Sequence, residues 1–189
     1  MKLIAALSVA FAALLVAPAA AADSSTKGGV TMPNQLSMYG ERLTLNGMGV
    51  RQASMFRVNV YVAGLYVENP TQNARELINS EQIKVFHMLF VRDVSQSDVA
   101  DSLEEGFKDS AADYSAVRAH VEQMKTWLPS FDKGDTLTYS YRPGRGVRIA
   151  VNNETVGTIP GRPFARALFG VWLGDNPPNS SLKRGLLGR

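Results

Sequence analysis

Residues able to do chemistry are few in this chain, so their placement matters more than their number. His87 and His120 are its only histidines. They fall on different predicted elements, and neither has the partner one helical turn away that a helix-borne metal site needs. Structural or surface roles are expected for both, and no metal. Gly47-Met48-Gly49 lacks the third glycine of a dinucleotide fingerprint and runs into a strand rather than a helix. No helix N-terminus would then present its amides to a pyrophosphate. The segment reads as a twist or bulge in a strand, and no cofactor is expected. Arg142, Arg145 and Arg148 cluster around a predicted hairpin, either as an anion patch or as a solvated turn protecting an edge strand; the second reading is preferred. The chain has no cysteine, which excludes disulfides, thiol chemistry and a Cys-linked lipid.

The formal net charge is +3 over 189 residues, too small a surplus to imply nucleic acid as a partner. Residues 1–22 have the three parts of a secretory signal: Lys2, the apolar run Leu3 to Leu15, and the small residues Ala20-Ala21-Ala22 before Asp23. Cleavage after Ala22 is expected, with a periplasmic or secreted location. The apolar run falls short of the about 20 residues that span a bilayer, so no integral membrane protein is expected. Residues 23–34, rich in Ser, Gly and Lys, read as a flexible leader, and 35–189 as one domain.

The elements that must position any site follow from periodicity. Leu43 to Glu68 reads as two long strands, because Phe56-Arg57-Val58-Asn59-Val60-Tyr61-Val62 alternates with period two and is rich in β-branched residues. Phe56, Val58, Val60 and Val62 share one face; Asn59, Tyr61, Ala63 and Leu65 share the other, which is apolar enough to require cover. A short helix to about Ile78 and a central strand from Gln82 to Val91 come next. Ser95 is placed as an N-cap, with Val99, Leu103 and Phe107 forming one apolar stripe. A second helix runs from about Ala112 until Pro129 stops it. Strands over Asp135 to Arg142, Gly146 to Asn152 and Glu154 to Ile159 follow, then a helix from Pro163 to Leu173 and a last one capped by Ser180 or Ser181. This order indicates an α+β fold with helices on one face of an antiparallel sheet.

Two stretches carry more than periodicity. Leu45-Asn46-Gly47-Met48-Gly49-Val50-Arg51 and Val60-Tyr61-Val62-Ala63-Gly64-Leu65-Tyr66-Val67-Glu68 resemble the chalcone isomerase-like family, whose hallmark is a glycine-rich strand ending in Arg followed by a strand of the type Val-Tyr-x-Ala-Gly-x-Tyr. The resemblance continues through Phe90-Val91-Arg92-Asp93-Val94, Gly157-Thr158-Ile159-Pro160-Gly161, Phe164, and the tail from Leu173-Gly174-Asp175 to Leu182-Lys183-Arg184. It implies an open-faced β-sandwich, a long antiparallel sheet covered by a helical layer with a ligand cleft between them. The family divides into plant enzymes that cyclise chalcones to flavanones and noncatalytic members, among them fatty-acid-binding proteins.

Set against the enzymes, Arg51 matches the arginine that orients the reacting phenolate. Tyr61 stands where they have a strand Thr, Val171 where they have a C-terminal Thr, and Asp98 and Glu105 fall near their helical Tyr and Asn. Carboxylates there would repel a phenolate and remove donors for a developing enolate. Against the fatty-acid-binding members, Arg51 and Tyr61 match the pair that holds the ligand carboxylate; a guanidinium fork and a phenol suit that task chemically. The resemblance therefore implies a noncatalytic periplasmic protein binding a fatty acid or similar amphipathic acid, with Arg51, Tyr61, Ala63, Leu103, Phe107 and Val171 around the ligand. Two alternatives stay open: an isomerase or lyase with Arg51 as electrophile and Glu105 as base, and a ligand-free interaction module whose cleft is filled by Leu103 and Phe107.

Overall fold

A computed structural model describes residues 23–53 and 58–189; the expected signal segment and Phe56 lie outside the described residues. Gly28 and Gly29, with φ of 58° and 80°, close a hairpin between β1 (Ser24–Lys27) and β2 (Val30–Pro33). Positive φ at both central residues is what a primed two-residue turn needs, and glycine adopts it without strain. Val30 and Met32 point inward, packing with Met48 and Val62. The expected flexible leader is thus corrected to an ordered hairpin. Four-residue strands are too short for their alternation to stand out, and a Gly-Gly pair reads as a linker until its flanks are seen to pair.

Seven antiparallel strands follow in spatial order: β3 (Gln35–Met38), β4 (Glu41–Ala53), β5 (Val58–Val67), β6 (Lys84–Phe90), β7 (Thr136–Arg142), β8 (Gly146–Val151) and β9 (Glu154–Ile159). One face of the sheet meets the helices. The other is covered in part by the β1–β2 hairpin, where Tyr66 donates to the Pro33 carbonyl at 2.9 Å. Both faces of β5 are therefore packed, as its two apolar rows require.

The helical layer consists of α1 (Ala74–Asn79), α2 (Gln96–Ser110), α3 (Tyr114–Trp127), α4 (Arg162–Leu173) and α5 (Ser180–Leu186). The Ser95 hydroxyl caps α2 by accepting from the Asp98 N–H at 3.1 Å. Below it Val99, Leu103 and Phe107 are buried, each stabilising the layer by about 1.5–3 kcal/mol. Nine of the twelve residues of α4 are buried, from Phe164 to Leu173, which makes it the central helix. This is the α+β arrangement the element order indicates.

Gly47 and Gly49 decide where α5 sits. A Cβ on Gly47 would lie 2.2 Å from the Gly185 carbonyl oxygen, and one on Gly49 would lie 2.5 Å from that of Leu182. Bare backbone lets α5 rest directly on β4. The expected bulge is there as well, since the β4–β5 register slips between Leu45 and Gly47. Asn46 at that slip donates to the Leu186 carbonyl at 2.8 Å and accepts from the Thr71 N–H at 2.7 Å, tying the bulge to α5.

Candidate functional site

Beyond the two glycines the same face of β4 carries Arg51, and there the cover of α5 ends. Arg51 is the cross-strand partner of Tyr61 on β5. Directly paired residues on one face hold their Cβ atoms about 5 Å apart, so the guanidinium and phenol emerge side by side. The register slips again just past Arg51, a bulge of the kind that re-aims side chains at sites. Around this pair a cleft of about 800 Å³ opens between the sheet, α2 and the α4–α5 connection.

Its inner wall is apolar, from Phe90, Val99, Leu103, Val171 and Trp172. Behind it the interior is filled: Phe90 stacks on Phe131 with centroids 4.3 Å apart, and Trp172 on Phe86 at 4.2 Å. The outer wall is the segment from Asp175 to Pro178, held by Asn179. The Asn179 side chain accepts from the Gln52 N–H at 3.2 Å and donates to the Val50 carbonyl at 3.2 Å, so one amide clamps the connection to β4 beside Arg51.

Arg51 is half-buried and donates through Nη1 to the carbonyls of Gln52 and Pro178, the latter at 3.4 Å. Asp98 and Glu105 border the same cleft, yet no ion pair joins either to Arg51 among the described residues. Among the described residues Nε and Nη2 of Arg51 have no hydrogen-bond partner. The Tyr61 hydroxyl accepts from Trp172 Nε1 at 2.8 Å. Burial pushes that hydroxyl up to about 12, against the pull of the Trp172 hydrogen bond and the Arg51 charge, so it stays protonated at neutral pH.

The rim is acidic: Asp93, Asp98, Glu105, Asp109 and Asp175 border the cleft beside Arg51 and Arg92. The rim carboxylates are exposed and screened by salt. Being in excess over the two guanidiniums they disfavour an anion at long range, so any anion held in this cleft would depend on short-range hydrogen bonds from Arg51 and Tyr61.

Of the residues singled out from sequence, Arg51, Tyr61, Leu103 and Val171 line the cleft. Ala63 and Phe107 do not, and their expected ligand roles are corrected. Ala63 pairs with Gly49, against which Leu182 of α5 lies, so that part of the sheet face is sealed in the core. Phe107, one turn beyond Leu103, is fully buried and stacks on Phe164 at 5.3 Å. Trp172 and Asn179 were not singled out. The cue for Asn179 was its position after Pro177-Pro178, where it, rather than Ser180 or Ser181, is the N-cap residue of α5.

Elsewhere the candidates resolve into packing. His87 Nδ1 lies 2.9 Å from Thr138 Oγ1, and His120 sits edge-on to Phe164. Among the described residues no group of three or more His, Asp or Glu is placed to hold a metal ion. Arg142 and Arg148 lie over the Tyr39 ring, 5.2 and 5.5 Å from its centroid. A second groove of about 1030 Å³ separates α1 from the α2–α3 turn and α4. It is larger, but two of its cations are engaged: Arg162 pairs with Glu81 at 2.6 Å, and Lys183 donates to the Gly174 carbonyl at 2.6 Å. The Arg51 cleft is the better-built site because its unused donors converge from neighbouring strands.

A sequence model described as chalcone isomerase-like matches residues 24–188. The chain belongs to that family. The match begins at the β1–β2 hairpin, which is therefore part of the family's unit. No curated protein sequence matches significantly. Among solved structures, the crystal structure of an Arabidopsis thaliana fatty-acid binding protein superposes with a TM-score of 0.72 at 14% identity, over 87% of this chain and 96% of that one. At this identity the likeness establishes the fold. Among the described residues no helix is long and apolar enough to cross a membrane.

Proposed function

We propose that this protein is a noncatalytic binding protein for a fatty acid or a similar amphipathic carboxylate, acting in the periplasm. One observation carries the reading: Arg51 and Tyr61 are cross-strand neighbours in an open cleft, and both keep donors that no group among the described residues uses. A carboxylate is the complement of such a pair, with bidentate acceptance from the guanidinium and one bond from the phenol. The apolar wall from Phe90 to Val171 suits an alkyl chain, and about 800 Å³ lies within the range of small-molecule clefts, roughly 300–1,000 Å³. The structurally similar Arabidopsis protein is a fatty-acid binding protein, which supports the same ligand class.

One feature favours binding over catalysis. Asp98 and Glu105, the groups nearest the enzymes' helical donors, are exposed carboxylates on the rim, and ionised carboxylates only accept hydrogen bonds, so they offer a developing enolate no donor. The periplasmic assignment rests on the signal pattern of residues 1–22. A periplasmic extract is expected to yield a chain beginning at Asp23, and a chain retaining Met1 would overturn the location. For the ligand, the protein and its Arg51→Ala variant are purified side by side, extracted with organic solvent and compared by mass spectrometry. A fatty acid in the wild type and its loss in the variant are expected. An empty wild type, or equal lipid in both, overturns the reading.

A further inference from the structure

The head of the cleft has a hydrogen-bond polarity, and one buried residue sets it. An indole N–H can only donate. In the Trp172–Tyr61 bond the phenol oxygen must therefore be the acceptor, and the phenol hydrogen is turned to another direction. Among the described residues it meets no protein acceptor. Tyr61 borders the cleft, and the neighbouring Arg51 is itself incapable of accepting.

We infer that Trp172 is a specificity-determining residue: by occupying the Tyr61 oxygen it fixes Tyr61 as a donor, makes the Arg51–Tyr61 pair donor-only inside the exposed acidic rim, and so selects amphiphiles whose head is an acceptor-only anion over those whose head also donates. This rests on the proposed carboxylate ligand and adds the residue that enforces it. Trp172 is suited to hold that polarity. It is 2% exposed, stacked on Phe86 and packed by the Tyr139 ring at 5.8 Å, so its N–H cannot swing away. A tyrosine without this bond could rotate its hydroxyl and accept from an alcohol as readily as it donates to an acid.

The test compares dodecanoate with 1-dodecanol, two ligands of equal chain length, by calorimetric titration at neutral pH. Wild type, Trp172→Phe, Tyr61→Phe and the double variant are measured. Wild type is expected to prefer the acid. Trp172→Phe should lower the acid-to-alcohol affinity ratio about tenfold, Tyr61→Phe should lower it similarly, and the double variant should fall no further than Tyr61→Phe alone. A purely structural role for Trp172 would weaken both ligands equally or add in full to Tyr61→Phe, and either result overturns the inference. Should Trp172→Phe fail to fold, 3-benzothienylalanine at position 172 keeps the bicyclic shape and replaces the N–H with a sulfur that cannot donate; the same drop is expected, and an unchanged ratio overturns the inference. Arg51→Ala separates the two levels. If it binds dodecanoate as the wild type does, the carboxylate reading fails and this one with it. If it loses dodecanoate while Trp172→Phe leaves the ratio unmoved, only this inference fails.

Discussion

Two cations lie on the helix-facing side of the same sheet, and the protein treats them oppositely. Lys84 opens β6 and pairs with Val67; Tyr61, at the other end of this stretch of β5, pairs with Phe90 and with Arg51. About 20 Å of strand separates the two positions. Lys84 is 1% exposed, and its ammonium donates to the carbonyls of Leu77 and Ser80 at 2.8 and 3.0 Å, with Ile78 at 3.5 Å. It closes the C-terminal end of α1, where a positive charge is favoured, and lies 5.0 and 4.9 Å from the centroids of Tyr141 and Phe169. Arg51 instead spends one nitrogen on backbone carbonyls, and among the described residues its other two have no partner. On the proposed reading the difference separates structure from function: a cation whose donors are consumed by its own chain holds the fold, and one half-consumed at an open cleft binds a ligand.

The contrast breaks first at Lys84. Lys84→Ala should cost about 3 kcal/mol of stability in urea unfolding, because helix-end carbonyls lose their donor and the aliphatic stem leaves a cavity. Dodecanoate affinity should be unchanged. Arg51→Ala should behave inversely, with stability within about 1 kcal/mol of wild type and dodecanoate binding weakened about thirtyfold, the worth of a charge-assisted hydrogen bond. If Lys84→Ala abolished binding, or Arg51→Ala unfolded the protein, the division between the two cations would be lost.

That division was half legible in the sequence. Period two in β5 and the Ser95 cap with its i, i+4 stripe placed the sheet and α2 correctly, because both signals depend on neighbours along the chain. Periodicity names a face, however, and not its depth. Tyr61 and Ala63 share a face, yet α5 covers one and stops short of the other, a boundary set by Gly47 and Gly49 meeting a helix over a hundred residues away. Lys84 was invisible for the same reason, since its carbonyl partners form a cage only when α1 folds back over β6. Trp172 and Asn179 act through single hydrogen bonds across the fold, and no local spacing encodes them.

Titration sharpens the contrast further. Burial lowers Lys84 from its ordinary value to about 8, against the pull of Glu81. Between that value and the unfolded-state value near 10.5 the unfolded chain binds more protons than the native one, so native stability rises with pH. Over pH 8 to 10 wild type should gain about 2 kcal/mol relative to Lys84→Ala, a comparison in which the tyrosines common to both proteins cancel. A flat difference between the two proteins would mean that the ammonium is solvated in the native state and that its cage is not closed.

The smallest effect concerns how Arg51 is held rather than what it binds. Asn179 makes two bonds to β4, and the residue before it, Pro178, supplies a carbonyl to Arg51. Asn179→Ala frees this connection from the strand. Stability should fall by about 1 kcal/mol, the net worth of ordinary hydrogen bonds at a partly exposed position. Dodecanoate affinity should fall about threefold, because the outer wall of the cleft and one anchor of the guanidinium become mobile together. Lys84→Ala in the same assay provides the reference for a stability loss that leaves the cleft intact. An Asn179→Ala variant that lost stability with unaltered affinity would place the wall of the cleft with Lys84, among the parts that only hold the fold.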